Sequence, residues 1–207
     1  MPPSSHGQHT RAAILHTAAQ LATVDGLEGL SIGQLASATG LSKSGLYAHF
    51  GSKEEMQLAT IEDARLTFVD EVIRPGLAAP HGIRRLLATC EAFLAHVERK
   101  VYPGGCFFAA AAAEVGTRRG AVHDAIAAQQ RRWLDLLERH ARDAQELGEL
   151  PAEVDAAQLA FELEALLVAA NTTFILYEDS TAFQRARIAI RQRLGVSASE
   201  PASAPVS

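Results

Sequence analysis

Glycine and proline interrupt this sequence at intervals that leave windows for helices and for almost nothing else. The breakers fall at Gly26, Gly40, Gly51, Pro75-Gly76, Pro80, Pro103-Gly104-Gly105, Gly116, Gly148 and Pro151. Between them apolar residues recur at three- and four-residue spacing, and no segment sustains the apolar/polar alternation of a half-buried strand. The pattern predicts an all-α chain of about nine helices with short connections. With 207 residues and 48% hydrophobic content, such a chain can bury a sizeable core.

Capping signals divide the N-terminal part finely. A first helix is expected from near Thr10 to Val24, with Ile14, Ala18, Leu21 and Ala22 on one face. Ser31 with Gln34 reads as a capping box opening a short second helix, which Gly40 ends. Ser42 opens a third short helix carrying Leu46, Tyr47 and Phe50. Ser52 with Glu55 opens a longer fourth, expected to run to about Ile73 and to stop at Pro75. Residues 1–9 are expected to form a disordered arm, 10–54 a first domain, 55–194 a second, and 195–207 a Ser/Ala/Pro tail.

Several function classes are disfavoured at once. No stretch of about 20 apolar residues, the length that spans a bilayer, is read from the sequence, and the segment Met1 to Thr10 is polar, without a signal-peptide core. A cytoplasmic protein without a membrane partner is therefore expected. Cys90 and Cys106 make neither a disulfide framework nor a metal spacing, and are expected to be buried reduced thiols. Glu114, His123-Asp124 and His140 carry no spacing typical of a metal or catalytic site, so no enzyme, metal or cofactor is expected.

What remains distinctive is the pair of short helices around Thr39-Gly40-Leu41-Ser42. Their length, glycine turn and apolar spacing match a helix-turn-helix, whose second helix offers its first residues to base edges in the major groove. Here those residues are Ser42, Lys43, Ser44 and Gly45. The net charge of −5 gives no global sign of a nucleic-acid binder, so the evidence must be local. Locally it is present: from Ser31 to Lys53 there is no acidic residue, while Lys43 and Lys53 are basic.

The run from Gly40 to Glu54, Gly-Leu-Ser-Lys-Ser-Gly-Leu-Tyr-Ala-His-Phe-Gly-Ser-Lys-Glu, resembles the signature of the TetR family of regulators nearly residue for residue. The resemblance covers residues 10–60. It implies that Lys43, Ser44 and Gly45 read bases, that Tyr47 and His49 contact phosphates, and that Lys53 clamps the DNA backbone. Ile32 and Gly33 stand where many members carry polar or basic side chains, and Gly33 has nothing to reach with. It further implies a repressor that binds a (pseudo)palindromic double-stranded operator as a homodimer and is released by a small inducer. In that mechanism the long fourth helix, with Lys53 at one end and Leu66, Val69 and Val72 towards the other, transmits the signal.

Two features of the C-terminal part bear on those expectations. Phe93, His96, Tyr102, Phe107, Phe108, Trp133, Phe174 and Tyr177 lie within apolar helical segments and are candidates for lining a cavity, as is Asn171; an apolar or aromatic inducer would suit them. The helix from Asp155 to Tyr177 is hydrophobic nearly all round, with Leu159, Leu163, Leu166 and Leu167 fitting no single stripe. Covering it with its own copy in a second subunit, helped by Phe183 and Ile190 of the last helix, is the economical solution. An internal helix of a monomer, a ligand-free DNA binder and a small helical enzyme are the rival readings.

Overall fold

The computed structural model describes residues 5–196. Ten α-helices follow in order: α1 (Ser5–Asp25), α2 (Ile32–Thr39), α3 (Lys43–Phe50), α4 (Lys53–Phe68), α5 (Arg74–Ala78), α6 (Ile83–Glu98), α7 (Phe107–Val115), α8 (Ala121–Glu146), α9 (Ala156–Tyr177) and α10 (Thr181–Arg193). A π-helical stretch, Val69–Ile73, joins α4 to α5, and no strand occurs among the described residues. The expected all-α class and most helix limits agree with this. Helix α1 begins at Ser5, inside the arm expected over residues 1–9; the tail from residue 197 onward lies outside the described residues.

Pro75 does not stop the fourth helix. Helical backbone continues past it to Ala78, because the turn before it widens: the Arg74 N–H donates to the Val69 carbonyl in a five-residue step. A proline in a regular helix clashes with the carbonyl four residues back, and a π-turn at that point makes room for the ring. Next to it, Gly76 is buried, and a Cβ there would lie 2.2 Å from Thr89 Oγ1 of α6. Only glycine permits so close an approach of α5 to α6.

The chain forms two compact units, each discontinuous in sequence, where a single boundary after residue 54 was expected. The first comprises the chain up to residue 67 together with 102–129; the second comprises 68–101 and the chain from 130 onward. In the first, Ile14, Ala18, Leu27, Leu30, Leu35, Leu46, Phe50 and Met56 are buried, along with Tyr102, Phe107 and Phe108. In the second, Val72, Leu86, Leu94, Val97, Leu137, Leu159, Leu163, Leu167, Phe183 and Ile190 are buried around Phe68, Phe93 and Trp133. Cys90 and Cys106 are both free thiols and both buried.

Helix α9 corrects one expectation about membranes: by length and composition it is apolar enough to cross one. Its inner side, Leu159, Ala160, Leu163, Leu167 and Ala170, is nevertheless buried within its own unit, where α9 packs on α10 and α6. The same observation corrects the expected dimer contacts. Leu159, Leu163, Leu167, Phe183 and Ile190 are core residues of their own chain and cannot reach a partner, while Leu166 is half-buried. The large apolar residues left outward are Phe161, Leu176 and Tyr177 of α9 and Ile188 of α10. The sequence pattern registered an excess of apolar residues, but it could not tell which side of a nearly uniform cylinder the core would take.

Candidate nucleic-acid interface

The helix pair α2–α3 is held by short-range hydrogen bonds that the sequence specifies directly. Ser31 adopts extended backbone, its hydroxyl accepts from the Gln34 N–H at 3.2 Å, and the Gln34 side-chain oxygen accepts from the Ser31 N–H at 3.1 Å. Gly40 closes α2 at φ 70°, a left-handed conformation that glycine adopts without steric cost. The Ser42 hydroxyl accepts from the Gly45 N–H at 3.1 Å and also lies 3.1 Å from the Ser44 hydroxyl. Leu46 and Phe50 face inward, and the Arg11 guanidinium of α1 sits 5.3 Å from the centre of the Phe50 ring.

With those two anchors buried, α3 turns the opposite side to solvent. Ser42, Lys43, Ser44, Ala48 and His49 are exposed, and Tyr47 is 53% exposed. A Cβ built on Gly33 would lie 3.6 Å from Lys43 Cε and 3.8 Å from its Nζ. Those are ordinary contact distances, so the Lys43 stem lies beside Gly33 without depending on the missing side chain.

Lys53 has a partner within the chain. Its ammonium donates to the Glu28 carbonyl at 2.6 Å and lies 3.7 Å from the Glu28 carboxylate. The turn it grips, between α1 and α2, is held from two further directions. Gln57 donates to the Leu27 carbonyl at 2.9 Å, and the Glu114 carboxylate of α7 accepts from the N–H groups of Leu27, at 2.6 Å, and Glu28, at 2.9 Å. Nearby, the Gly104 N–H donates to Thr23 Oγ1 at 3.1 Å. Reading the sequence missed Glu114 in this role, because nothing local marks a carboxylate that caps backbone amides 86 and 87 residues away.

Of the residues expected to line a cavity, only some come together. Phe93, His96 and Trp133 gather in the second unit around Phe68. Phe93 stacks on the indole at 5.9 Å and 23°, Phe68 meets the indole edge-on at 5.2 Å, and His96 meets Phe68 edge-on at 6.2 Å. The indole N–H donates to the carboxylate of Glu164 on α9. Burial lowers the His96 pKa to about 4, so its ring is neutral at pH 7. Burial, reinforced by the charges of Glu164 and Glu91, pushes the Cys90 thiol up to about 12.

The other candidates are elsewhere. Phe107 packs on Phe108 and on Tyr102 in the first unit. Phe174 packs on Phe183 at 4.8 Å with Lys100 over its face, Asn171 is buried, and Tyr177 is 74% exposed. The nine side chains chosen for aromaticity or polarity are thus divided between the two units, because helical spacing selects a face without saying which faces meet. Among the described residues no group of three histidines, cysteines or carboxylates could hold a metal ion. Glu114 is engaged with the α1–α2 turn, while His123 pairs with Asp124 at 2.9 Å.

Comparison with known proteins agrees with this geometry. Residues 14–60 match the family described as bacterial regulatory proteins, tetR family, and residues 82–190 match the tetracyclin repressor-like C-terminal domain. No curated protein matches the chain. Among solved structures, a TetR transcriptional regulator from Chloroflexus aurantiacus is 26% identical with a TM-score of 0.86, over 93% of this chain and 97% of that one. A TetR-family regulator from Cytophaga hutchinsonii, 18% identical, superposes with a TM-score of 0.81 over 97% and 100% of the two chains. AibR, solved in complex with isovaleryl coenzyme A and operator DNA, is 25% identical with a TM-score of 0.73, over 88% of this chain and 97% of its own. The capped helix pair near the N-terminus, the helical segments that follow it in sequence and the two family matches make this chain a member of the TetR family of transcriptional regulators.

Proposed function

We propose that the protein is a ligand-responsive repressor that binds a (pseudo)palindromic operator as a homodimer and leaves it when a small apolar or aromatic inducer binds the C-terminal domain. The observation that carries the reading is the outward side of α3: Lys43, Ser44, Tyr47 and His49 project from a helix whose other side is anchored by Leu46 and Phe50. Lys43 and Ser44, at the helix start, are the base readers, and Gly45 lets the backbone come close. Tyr47, His49 and Lys53 bind phosphates, with Lys53 sharing its three donors between Glu28 and DNA. AibR, a relative that holds both operator DNA and an acyl-coenzyme A, supports a two-ligand regulator.

The homodimer is supported by the outward residues Phe161, Leu176, Tyr177 and Ile188, which are 49–74% exposed. Large apolar side chains left in water on α9 and α10 call for a cover, and a self-complementary twofold contact also sets the spacing of two recognition helices on DNA. In this reading the protein is cytoplasmic, has no membrane partner and catalyses nothing. The inducer acts by preferring the released conformation, since equal affinity for both would shift nothing.

Fluorescence anisotropy on DNA selected by the protein itself, across a salt series, tests the reading. The double variant Lys43→Ala/Tyr47→Ala is expected to lose about 100-fold in affinity, and its salt slope should fall as phosphate contacts disappear. If the variant binds selected and random DNA as the parent does, α3 is not the reader. Should the parent itself show no preference for any sequence, the repressor reading fails.

A further inference from the structure

The acid-free stretch from Ser31 to Lys53 contains two lysines, and the fold treats them differently. Among the described residues Lys43 pairs with no carboxylate, whereas Lys53 meets Glu28, an acid just outside that stretch. Two separate groups of Glu28 act on the Lys53 ammonium. The backbone carbonyl accepts from Nζ at 2.6 Å and fixes where the ammonium sits. The carboxylate Oε2 stands at 3.7 Å, beyond hydrogen-bond reach but close enough to offset the charge. The Glu28 backbone is itself held: its N–H donates to Glu114 Oε1 at 2.9 Å, and the adjoining Leu27 carbonyl accepts from Gln57 at 2.9 Å. Apart from Lys53, the Glu28 side chain has only a long contact, 3.5 Å from Gln57 Nε2. The two ion-pair partners are about half exposed, at 49% and 42%, so the pair adds little to stability. Positioning and charge compensation therefore fall to different groups of one residue.

An ion pair that contributes little to the fold still matters where a second anion approaches. A phosphate that engages Lys53 comes close to the Glu28 carboxylate, which repels it or retains a cation that binding would otherwise release. We propose that the Glu28 carboxylate is an intramolecular competitor for the DNA phosphate at Lys53, lowering affinity for any sequence while the Glu28 carbonyl keeps the ammonium in place. The proposal rests on the reading that Lys53 binds a phosphate, and it adds a residue that opposes that contact. Phosphates carry no base identity, so this brake acts on operator and random DNA alike and leaves their ratio unchanged.

The full-length variant Glu28→Gln keeps the carbonyl that positions Lys53 and removes only the charge. Its anisotropy titrations on the selected operator and on random duplex DNA are compared with those of the parent across a potassium chloride series. Both DNAs are expected to bind about three- to tenfold more tightly, with the salt slope steeper by up to about 1. A second neutral variant, Glu28→Ala, should show the same gain, and Glu28→Asp, which retains the charge, should keep the parent slope. In a Lys53→Met background the gain from Glu28→Gln should vanish, because the contested ammonium is gone. Glu62→Gln removes another exposed carboxylate of the first unit and should not reproduce the gain. Melting temperatures establish that each variant is folded. Parent-like affinity and slope in both neutral variants, an undiminished gain in the Lys53→Met background, or an equal gain in Glu62→Gln would each overturn the proposal. If Lys53→Met alone binds DNA as the parent does, the phosphate contact and this proposal fall together. The reading of α3 as the DNA reader is tested separately by Lys43→Ala/Tyr47→Ala.

Discussion

The caps of α2 and α3 each pair residues three positions apart: Ser31 with Gln34 and Ser42 with Gly45. The aromatic centre of the second unit is assembled differently. Phe68, Phe93, Trp133 and Glu164 come from α4, α6, α8 and α9, and no two of them are neighbours in sequence. The first region is stable because local hydrogen bonds and two buried anchors fix it, and its function needs side chains turned outward. The second depends on long-range packing between helices distant in sequence.

The largest expected effect breaks the second region. Trp133→Ala removes a fully buried indole and leaves Glu164 without its donor, and should cost about 3–5 kcal/mol of stability in chemical denaturation. If the cost were below about 1 kcal/mol, the aromatic centre would not be the packing centre of its unit.

Acidification should come next in size. His96 and His140 are each lowered by burial to about 4, from the usual value near 6.5. A histidine that stays neutral in the folded state while the unfolded chain takes up a proton contributes stability above pH 6.5. That stability is lost as pH falls through the window from 6.5 to 4, up to about 3 kcal/mol per group. Melting temperature against pH should show this slope, and the double variant His96→Gln/His140→Gln should flatten it. A parent curve already flat over that window would contradict the burial assigned to the two rings.

Glu114→Ala sharpens the contrast within the first unit, since it strips two backbone N–H groups of a long-range partner. We expect a loss of about 1–2 kcal/mol, together with weaker operator binding as the turn carrying Glu28 loosens around Lys53. Unchanged operator affinity would mean that the turn is held well enough by Lys53 and Gln57. The smallest effect is local: Ser31→Ala should cost about 1 kcal/mol by loss of its cap, with amide exchange accelerated in α2 more than elsewhere. Uniform acceleration through both units would blur the distinction between local and long-range construction.

The same distinction explains what could be read before any coordinates existed. The caps at Ser31, Ser42 and Asp155, the turn at Gly40 and the anchors Leu46 and Phe50 were legible because each rests on residues three or four positions apart. The α9 contacts were not: Leu159, Leu163 and Leu167 turned inward and Phe161 and Leu176 outward on a helix apolar enough that either choice satisfied the pattern. The cavity-lining set failed similarly, with Phe107 and Tyr177 as plausible in sequence as Phe93 and Trp133. Lys53 was identified correctly as exposed and basic, yet its engagement with Glu28 depends on how the α1–α2 turn folds back.

By itself, then, the sequence determined the helical class, nearly all helix limits and the capped helix pair α2–α3, because caps, breakers and apolar period act over distances of one or two turns. Tertiary structure alone decided that Pro75 sits behind a π-turn within a continuing helix, that Glu114 secures the turn beneath Lys53, and that Glu164 is left among aromatic rings with a single neutral donor. Each of those depends on which faces meet, and a face is chosen by the packing of the whole unit, not by the residues within reach along the chain.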